Sequence, residues 1–442
     1  MRPGVLGILV AGLAFTCALC CAACRREAAP ANDARQDAGN SPVSARSALP
    51  AGALAAARWP LWRGDAQNTG HTRETLGDDL ELLWQFQTGA DLGPPAKSDP
   101  TVQRSEAARC IRSSPVIADG LAFVGAMDEH VYAVRLADGA KAWSFHANAT
   151  VEAPPAVVED AVVIGCNDGT LYCLDRKSGR QRWQYKTEGS IKASVTPFRA
   201  PVATSSPSSP AAGKLKLLVT SYDMRLHCVD FETGRREWVS EKDYWINGSA
   251  AVAGDLALYG SCDTYMHAVS LGDGRKVRRQ TLKSYCAATV AVRDGRAYVG
   301  TMSDDPAGGD FFCLDVAAAG QVWRYPVPAR PQPTVYASAA VGPDRVIFAD
   351  QNGLVTCLSP AGKRLWQYKT PSGGIDSSPV LAGDKVVFGA DNGRLYILSA
   401  ANGTKLWAYD IGSPIKSSPA VAGGLVSVGC DDGNLYLFGP KE

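Results

Sequence analysis

A segment reading Ser-Ser-Pro-Val-Ile-Ala-Asp-Gly-Leu-Ala-Phe-Val-Gly, residues 113–125, recurs with variations along most of this chain. Equivalent segments begin at seven further positions, Ala153, Ala193, Gly248, Ala288, Ala337, Ser377 and Ser417. The successive starts lie 40, 40, 55, 40, 49, 40 and 40 residues apart, and the longer steps contain Pro-rich insertions. Self-similarity at such a period indicates a repeat architecture, because each unit buries its apolar face against the next.

Each repeat carries the signals of four short strands. Two apolar runs flank an Asp-Gly or similar turn, and a motif such as Asn167-Asp168-Gly169 closes the next hairpin. A third apolar run follows, as in Leu171–Asp175, and a Gly-containing turn leads to a fourth. The fourth run contains a tryptophan in most repeats: Trp143, Trp183, Trp238, Trp323, Trp366 and Trp407, with Arg278 in the fourth repeat. Four strands per unit predict an all-β fold, a β-propeller.

The two ends of the repeat region complement each other. The eighth repeat stops at Gly439, before a fourth strand, whereas residues 80–86 look like the fourth strand at residues 405–409. We therefore predict an eight-bladed β-propeller with four-stranded blades, whose ring is closed by the N-terminal strand so that no sheet edge is exposed.

The first 24 residues resemble a bacterial lipoprotein signal peptide. A basic Arg2 and an apolar stretch lead into small residues before Cys24, which we expect to be acylated. Cys20 and Cys21 are alternative acylation sites, and plain secretion or an uncleaved anchor are alternative fates. Arg25 after the cysteine favours the outer membrane under the sorting rule that the resemblance implies. Residues 25–57 contain almost no large apolar side chains and are expected to form a flexible tether, which leaves residues 58–442 for the propeller.

Composition excludes one class of partner. The 442 residues contain 45 basic and 44 acidic side chains, for a net charge of +1. A nearly neutral chain lacks the electrostatic footprint of a nucleic-acid-binding protein. We therefore expect no nucleic-acid partner, and a propeller that is monomeric.

The repeats resemble those of pyrroloquinoline-quinone (PQQ) propellers. Asp230-Phe231-Glu232-Thr233-Gly234, followed by Trp238, matches the motif that docks neighbouring blades in that family, and Asp175 to Trp183 matches it with Ser178 in place of Thr. The segment from Trp59 to Gly70 is similar to the N-terminal segment of secreted members. The family includes quinoprotein dehydrogenases and non-catalytic lipoproteins, so the resemblance implies the fold and leaves the function open.

One column of the aligned repeats stands out as a candidate binding site. The residue before each Ser-Ser-Pro position begins the innermost strand, near the predicted channel, and this column varies too much to be core: Arg112, Glu152, Lys192, Asn247, Ala287, Tyr336, Asp376 and Lys416. We interpret the column as the rim of one channel mouth. Its side chains either face the water at the mouth or contact a partner or ligand. The polar members of the column are the partner-binding candidates.

A PQQ-dependent dehydrogenase is an alternative interpretation. Glu152 and Asn247 have the chemistry of Ca²⁺ ligands, and Trp245 lies close to them in sequence. The resemblance also implies a pair of adjacent cysteines over the quinone and an aspartate as base. The only adjacent pair, Cys20-Cys21, lies in the signal segment, and Lys283–Ala287 offers no aspartate, although Asp376 could act from across the mouth. We expect no catalysis, no cofactor and no metal.

Nine cysteines follow Cys24 in the sequence. Cys173, Cys228, Cys313 and Cys357 share one column with Ala and Leu residues, and Cys166 and Cys430 share another with Ala and Ser, which predicts small core residues. Disulfides remain an alternative in an oxidising compartment, first among Cys110, Cys262 and Cys286.

Lipid anchor, tether and compact propeller together resemble BamB-type lipoproteins, which assist insertion of outer-membrane β-barrel proteins. The resemblance implies a bacterial envelope lipoprotein that faces the periplasm and binds envelope proteins, such as the barrel-assembly machinery. A binding propeller with a different partner or ligand remains an alternative.

Overall fold

The structure of the protein is a computed structural model that describes residues 54, 56–89, 110–200, 213–302, 309–318, 320–327 and 334–441. In these ranges the chain forms the strands β1–β33, which assemble into eight sheets. None of the described residues forms a helix that is both long and apolar enough to cross a membrane. The predicted signal segment with Cys24 lies outside the described residues, as does nearly all of the tether, so these assignments stay predictions.

Blades 1 to 4 follow one another in the first half of the ring, and each contains four consecutive strands. Blade 1 consists of β3 (Val116–Ala118), β4 (Leu121–Gly125), β5 (His130–Arg135) and β6 (Lys141–His146). Blade 2 consists of β7 (Ala156–Val158), β8 (Ala161–Gly165), β9 (Thr170–Asp175) and β10 (Gln181–Lys186). Blade 3 consists of β11 (Thr196–Arg199), β12 (Leu215–Ser221), β13 (Arg225–Asp230) and β14 (Arg236–Val239). Blade 4 consists of β15 (Ala251–Ala253), β16 (Leu256–Gly260), β17 (Tyr265–Ser270) and β18 (Lys276–Thr281).

Blades 5 to 8 complete the ring, and the last two recruit N-terminal strands. Blade 5 consists of β19 (Ala291–Arg293), β20 (Arg296–Gly300), β21 (Asp310–Asp315) and β22 (Gln321–Pro326). Blade 6 consists of β23 (Ala340–Val341), β24 (Val346–Ala349), β25 (Leu354–Leu358) and β26 (Arg364–Lys369). Blade 7 consists of β27 (Val380–Ala382), β28 (Lys385–Gly389), β29 (Arg394–Ser399) and β30 (Lys405–Asp410), with β1 (His71–Thr72) added. Blade 8 consists of β31 (Ala420–Ala422), β32 (Leu425–Gly429), β33 (Asn434–Pro440) and β2 (Leu80–Gln87).

Strand β2 closes the ring. It pairs antiparallel with β33, with Leu82 opposite Phe438 and Gln87 opposite Asn434. Both predictions, eight four-stranded blades and closure by an N-terminal strand, are therefore confirmed. The pairing removes the free edge that β33 would otherwise present to other chains.

The hydrophobic core is divided among the interfaces between neighbouring blades. One cluster, for example, joins Phe123 and Val131 of blade 1 to Ile164 and Leu174 of blade 2, and all four side chains are fully buried or nearly so. The middle strands of a blade are covered on both faces, which explains their continuous apolar sequences.

The tryptophan column locks neighbouring blades together. A β-bulge precedes the tryptophan in the fourth strands that carry one, as at residue 182 before Trp183. In six blades the indole Nε1 then donates to a backbone carbonyl of the next blade, as Trp183 does to Phe231 O at 2.9 Å. Arg278 replaces this tryptophan in blade 4, and its guanidinium donates to Ala317 O at 2.7 Å.

The N-terminal segment Trp59–Thr72 crosses the channel at the ends of the innermost strands. Its carbonyls accept backbone N–H groups from six blades, with donors Ile117, Val157, Val252, Val292, Val341 and Leu381 at 2.7–2.9 Å. It then becomes β1, which runs parallel to β27. The segment therefore plugs one end of the channel, and its backbone bonds replace water at those strand ends.

All nine described cysteines are buried and carry free thiols. Cys110, Cys262 and Cys286 are among them, so the disulfides considered from sequence are not formed here. Burial raises the pKa of the Cys110 thiol to about 11 and that of Cys173 to about 12. These thiols are protonated near neutral pH and are weak nucleophiles.

Candidate functional site

The predicted rim residues line one cavity at the open end of the channel. All eight members of the column, from Arg112 to Lys416, contribute to the wall of a cavity of about 200 Å³. Each of them is half-buried. The repeat alignment therefore placed these side chains together correctly; whether they bind a partner stays a prediction.

A ring of serine and threonine residues lies below the rim. Its members stand two positions after the rim residues and are at least nine-tenths buried: Ser114, Ser194, Ser249, Thr289, Ser338, Ser378 and Ser418. Backbone N–H groups donate to the hydroxyl of the following blade at 2.8–3.0 Å, in an unbroken series from Ser249 to Ser114. The series is interrupted in blade 2, where Pro154 has neither an N–H nor a hydroxyl, and again before Ser249, whose hydroxyl has no hydrogen-bond partner among the described residues.

The N-terminal segment supplies the floor of the cavity through Trp62. Its indole Nε1 is buried without a hydrogen-bond partner among the described residues. The adjacent Arg63 is 1% exposed and fixes the segment, because its guanidinium donates to Ala339 O at 2.7 Å and Pro379 O at 2.8 Å. Desolvation lowers the pKa of Arg63 to about 9. The cavity is therefore a cup with a polar wall and an indole at its floor.

The charged groups in blades 2 and 3 are bonded to one another. Glu152 Oε1 accepts from Asn167 Nδ2 at 2.6 Å and lies 3.3 Å from Lys192 Nζ. Lys192 Nζ also stands 5.5 Å from the ring centroid of Tyr222. Tyr222 in turn donates its hydroxyl to Asn247 Oδ1. Glu152, Lys192 and Asn247 are thereby held in place by side chains of their own and adjacent blades.

Three aspartates gather at the opposite side of the mouth. Asp376 accepts from Gln351 and lies 3.9 Å from Lys416 Nζ, and Asp431 lies 3.7 Å from Arg112 Nε. Desolvation, and then the Asp376 carboxylate, raise the pKa of Asp391 to about 7. Desolvation raises the pKa of Asp376 and that of Asp431 as well. This side of the mouth therefore changes its charge near neutral pH.

The residues present do not fit a quinone with its Ca²⁺ ion. Glu152 and Asn247 both line the cup, but Glu152 Oε1 accepts a hydrogen bond from Asn167 and Asn247 Oδ1 accepts one from the Tyr222 hydroxyl. Trp245 is not part of the cavity wall; its carbonyl accepts from Cys262 N at 3.0 Å. No two cysteines after Cys24 are adjacent in the sequence, so a disulfide of adjacent cysteines cannot cover a ring.

A separate group of potential metal ligands lies at blade 4. Asp243, Asp263 and His267 place one ligand atom each within 4.8 Å of the others. Asp243 already accepts from Tyr259 at 2.5 Å and pairs with Lys276, while His267 Nε2 lies 2.9 Å from Asp263. His267 Nδ1, in contrast, is buried 3.8 Å from Asp243 Oδ1 and has no hydrogen-bond partner among the described residues. Sequence spacing did not reveal the group, because Asp243 lies in the loop before the blade.

Two parts of the cup were not predicted from the sequence. The Ser/Thr ring was visible as a column, but only the register of the innermost strands shows that it lies in the wall. Trp62 belongs to no repeat, so periodicity could not place it. Both the Ser/Thr ring and Trp62 line the cup only because the eight blades close into a ring.

The fold and the cup define a PQQ-repeat β-propeller. The family described as outer membrane protein assembly factor BamB matches residues 81–280 and 263–442, and the chain belongs to this family. No curated protein sequence matches the chain.

Solved structures of two functional kinds are similar to this chain. BamB from Moraxella catarrhalis has 15% identity and a TM-score of 0.64, and the match covers 82% of this chain and 100% of that protein. Quinohemoprotein alcohol dehydrogenase from Comamonas testosteroni has 17% identity and a TM-score of 0.63, with 87% and 81% covered. A europium-containing methanol dehydrogenase has 15% identity and a TM-score of 0.62, with 87% and 98% covered. At these identities the similarity shows the fold alone.

Proposed function

We propose that the protein is a non-catalytic scaffold of the bacterial envelope, with a BamB-like role in the assembly of outer-membrane β-barrel proteins. One observation carries the proposal: Glu152 and Asn247, the side chains that would hold a metal beside a quinone, already bond to other side chains of the rim and its surroundings. Family membership over residues 81–442 supports the same conclusion.

A rim of this kind suits a protein partner. Three half-buried cations (Arg112, Lys192 and Lys416) and two carboxylates (Glu152 and Asp376) line the mouth, so a partner segment finds donors and acceptors in fixed positions. Such preorganised polar groups give specificity and orientation more than raw affinity. The proposed partner is an envelope protein, and the barrel-assembly machinery is the first candidate.

The anchor proposed for this scaffold is an acylated Cys24 followed by a tether. It would hold the propeller at the outer membrane, on the periplasmic side. Several acyl chains are needed for a stable anchor, because a single chain binds a membrane only marginally.

Trp62 favours a second candidate, a propeller that binds a small ligand in the cup. Its Nε1 is a buried donor without a partner among the described residues, at the floor of a polar cavity. A ligand with an acceptor atom at that point would satisfy it. PQQ-dependent dehydrogenation is the third candidate and receives no support from the rim contacts.

The scaffold proposal is tested by affinity capture from detergent-solubilised envelopes. We expect the full-length protein to retain a barrel-assembly component and Lys192→Glu or Lys416→Glu to lose it. Lys363→Glu, an exposed lysine in the turn before β26, is the matched control and should capture normally. Absence of every barrel-assembly component from the wild-type capture would rule out the BamB-like role.

The enzyme alternative is tested by thermal melting with PQQ and Ca²⁺. A ligand at a hundredfold excess over its Kd adds about 2.7 kcal/mol to the stability of the folded state. We expect no shift and no dye reduction with alcohols or sugars. A PQQ-dependent shift that Glu152→Ala abolishes would favour the dehydrogenase.

A further inference from the structure

The imidazole of His267, on strand β17 of blade 4, is fully buried, and one of its nitrogens has no hydrogen-bond partner among the described residues. The other nitrogen, Nε2, lies 2.9 Å from Asp263 Oδ2 and 3.1 Å from Asp263 Oδ1. An ionised carboxylate only accepts hydrogen bonds, so Nε2 carries the proton that it donates. In the neutral ring, Nδ1 is therefore left with an unused lone pair.

The equivalent histidine of blade 3 has a donor at the same nitrogen. His227 Nε2 also lies 3.0 Å from an aspartate four residues earlier, and its Nδ1 lies 2.9 Å from the hydroxyl of Tyr185. Tyr185 stands two residues after the tryptophan of the fourth strand in blade 2. The corresponding residue of blade 3 is Ser240, whose hydroxyl donates to Glu241 O at 3.0 Å. His267 therefore lacks the hydroxyl donor that His227 has.

A carboxylate faces His267 Nδ1 instead. Asp243 Oδ1 lies 3.8 Å from this nitrogen, and the Asp243 side chain is only 2% exposed. Tyr259 donates to the other oxygen of Asp243 at 2.5 Å, and Lys276 pairs with Oδ1, but neither bonds to Nδ1. Two acceptor atoms thus face each other in a buried place, which is unfavourable unless a positive group lies between them.

The separation of these two atoms suits one metal ion bound to both. Zn²⁺ forms bonds of about 2.0–2.1 Å to an imidazole nitrogen and about 2.0–2.2 Å to a carboxylate oxygen. Two such bonds at an angle of about 130° place their ligand atoms about 3.8 Å apart, which is the separation of His267 Nδ1 and Asp243 Oδ1. The carboxylates of Asp243 and Asp263 also outnumber the ammonium of Lys276, so a further cation would compensate charge.

Lys276 is the cation with which a metal ion would compete at Asp243 Oδ1. The Lys276 side chain is 29% exposed, whereas those of Asp243 and His267 are 2% and 0% exposed. The ammonium can therefore move into solvent while the two proposed ligands stay in place. A water molecule could then occupy the vacated position as a further ligand.

We propose that His267 Nδ1 and Asp243 Oδ1 bind a divalent transition-metal ion such as Zn²⁺. Imidazole and carboxylate are both ligands of Zn²⁺, whereas Ca²⁺ prefers oxygen ligands alone. Asp263 would hold the ring through Nε2, as carboxylates hold many metal-binding histidines. The ion would tie the loop before blade 4 to strand β17. The site differs from the expectation of no metal that the sequence spacing gave, and it does not depend on the function of the channel mouth.

Calorimetric titration of the EDTA-treated full-length protein with Zn²⁺ tests the site. We expect one ion per chain, and loss of that binding in His267→Gln, whose amide can still donate to Asp263. His227→Gln is the matched control and should bind Zn²⁺ as the wild type does, because Tyr185 already occupies the Nδ1 of His227. Asp263→Asn should weaken binding by about 10–100-fold, since it weakens the support of the ring.

A gain of affinity and a spectrum complete the test. Lys276→Gln should bind Zn²⁺ more tightly than the wild type, because the competing ammonium is gone. Co²⁺ in place of Zn²⁺ should give the absorption of nitrogen and oxygen ligands, without the charge-transfer band of a thiolate. The proposal is overturned if the wild type does not bind Zn²⁺ at millimolar concentration, if His267→Gln binds as the wild type does, or if a thiolate band appears. An affinity that Lys276→Gln leaves unchanged or lowers would likewise contradict binding at Asp243.

Discussion

The α-carbon of Gly179 lies directly against the indole of Trp143, so that a β-carbon at this position would stand 2.6 Å from the ring. Gly179 also has a φ of +69°, which side chains rarely adopt. One residue therefore meets two demands, close approach of a neighbouring blade and a left-handed turn.

Gly179→Ala is expected to lower the melting temperature markedly. The methyl group would push the indole out of its place and strain the turn, at a cost of about 1–3 kcal/mol. Gly320→Ala is the matched control, since open space surrounds that position. Equal melting of the two variants would contradict the packing argument.

Removal of β2, residues 80–87, should abolish cooperative melting or cause aggregation. Blade 8 would lose its fourth strand and β33 would expose a sheet edge. Deletion of eight tether residues, 36–43, provides the control. Thermal unfolding of both proteins by circular dichroism checks this prediction, and a β2 deletion that melts like the control would contradict closure by this strand.

Arg63→Met should destabilise the plugged end of the ring by about 2–4 kcal/mol. Methionine preserves much of the length of the side chain but leaves the carbonyls of Ala339 and Pro379 without these donors in a buried site. Arg58→Met, at a side chain that is 57% exposed, is the control. Denaturant unfolding measures the difference, and an Arg63 variant as stable as the control would show that the plug does not need this contact.

Asp391 is expected to make stability depend on pH. Its pKa is raised to about 7, so between about pH 4 and 7 the folded state binds more protons than the unfolded state. Stability from this group is therefore greatest at low pH and falls as the pH rises through 7. The melting temperature of the wild type relative to Asp391→Asn should decrease from about pH 5 to about pH 8. Asp376, Asp431 and Lys416 face the same group, and a difference that is constant with pH would contradict the assignment.

Cys24→Ala should abolish acyl labelling and release the protein into the soluble envelope fraction. The proposed acyl chains are attached at this residue, and without them the propeller has no other anchor in the proposal. Labelling with a fatty-acid analogue, followed by fractionation, measures both effects. Labelling that persists in the variant would move the site to Cys20 or Cys21.

The sequence predicted the ring and the rim because both follow from repetition. Residues of one alignment column, such as Glu152 and Lys192, have the same strand position in every blade. Once that position is known for one blade, it is known for all eight residues of the column. The N-terminal segment was harder to place, because Trp59–Thr72 repeats nothing and is held mainly through backbone bonds.

The N-terminal segment also shapes the order of folding. The residues that bond to this segment extend from Ile117 to Leu381. Strand β2 can pair only after β33 has been made, more than three hundred residues further along the chain. Such long-range pairing slows folding, because the entropy of closing the chain is lost before the contacts form. We therefore expect each blade to pair with its neighbours early and closure of the ring by β2 to come last. Until then β33 offers a bare edge, and the unclosed ring is the species most exposed to aggregation.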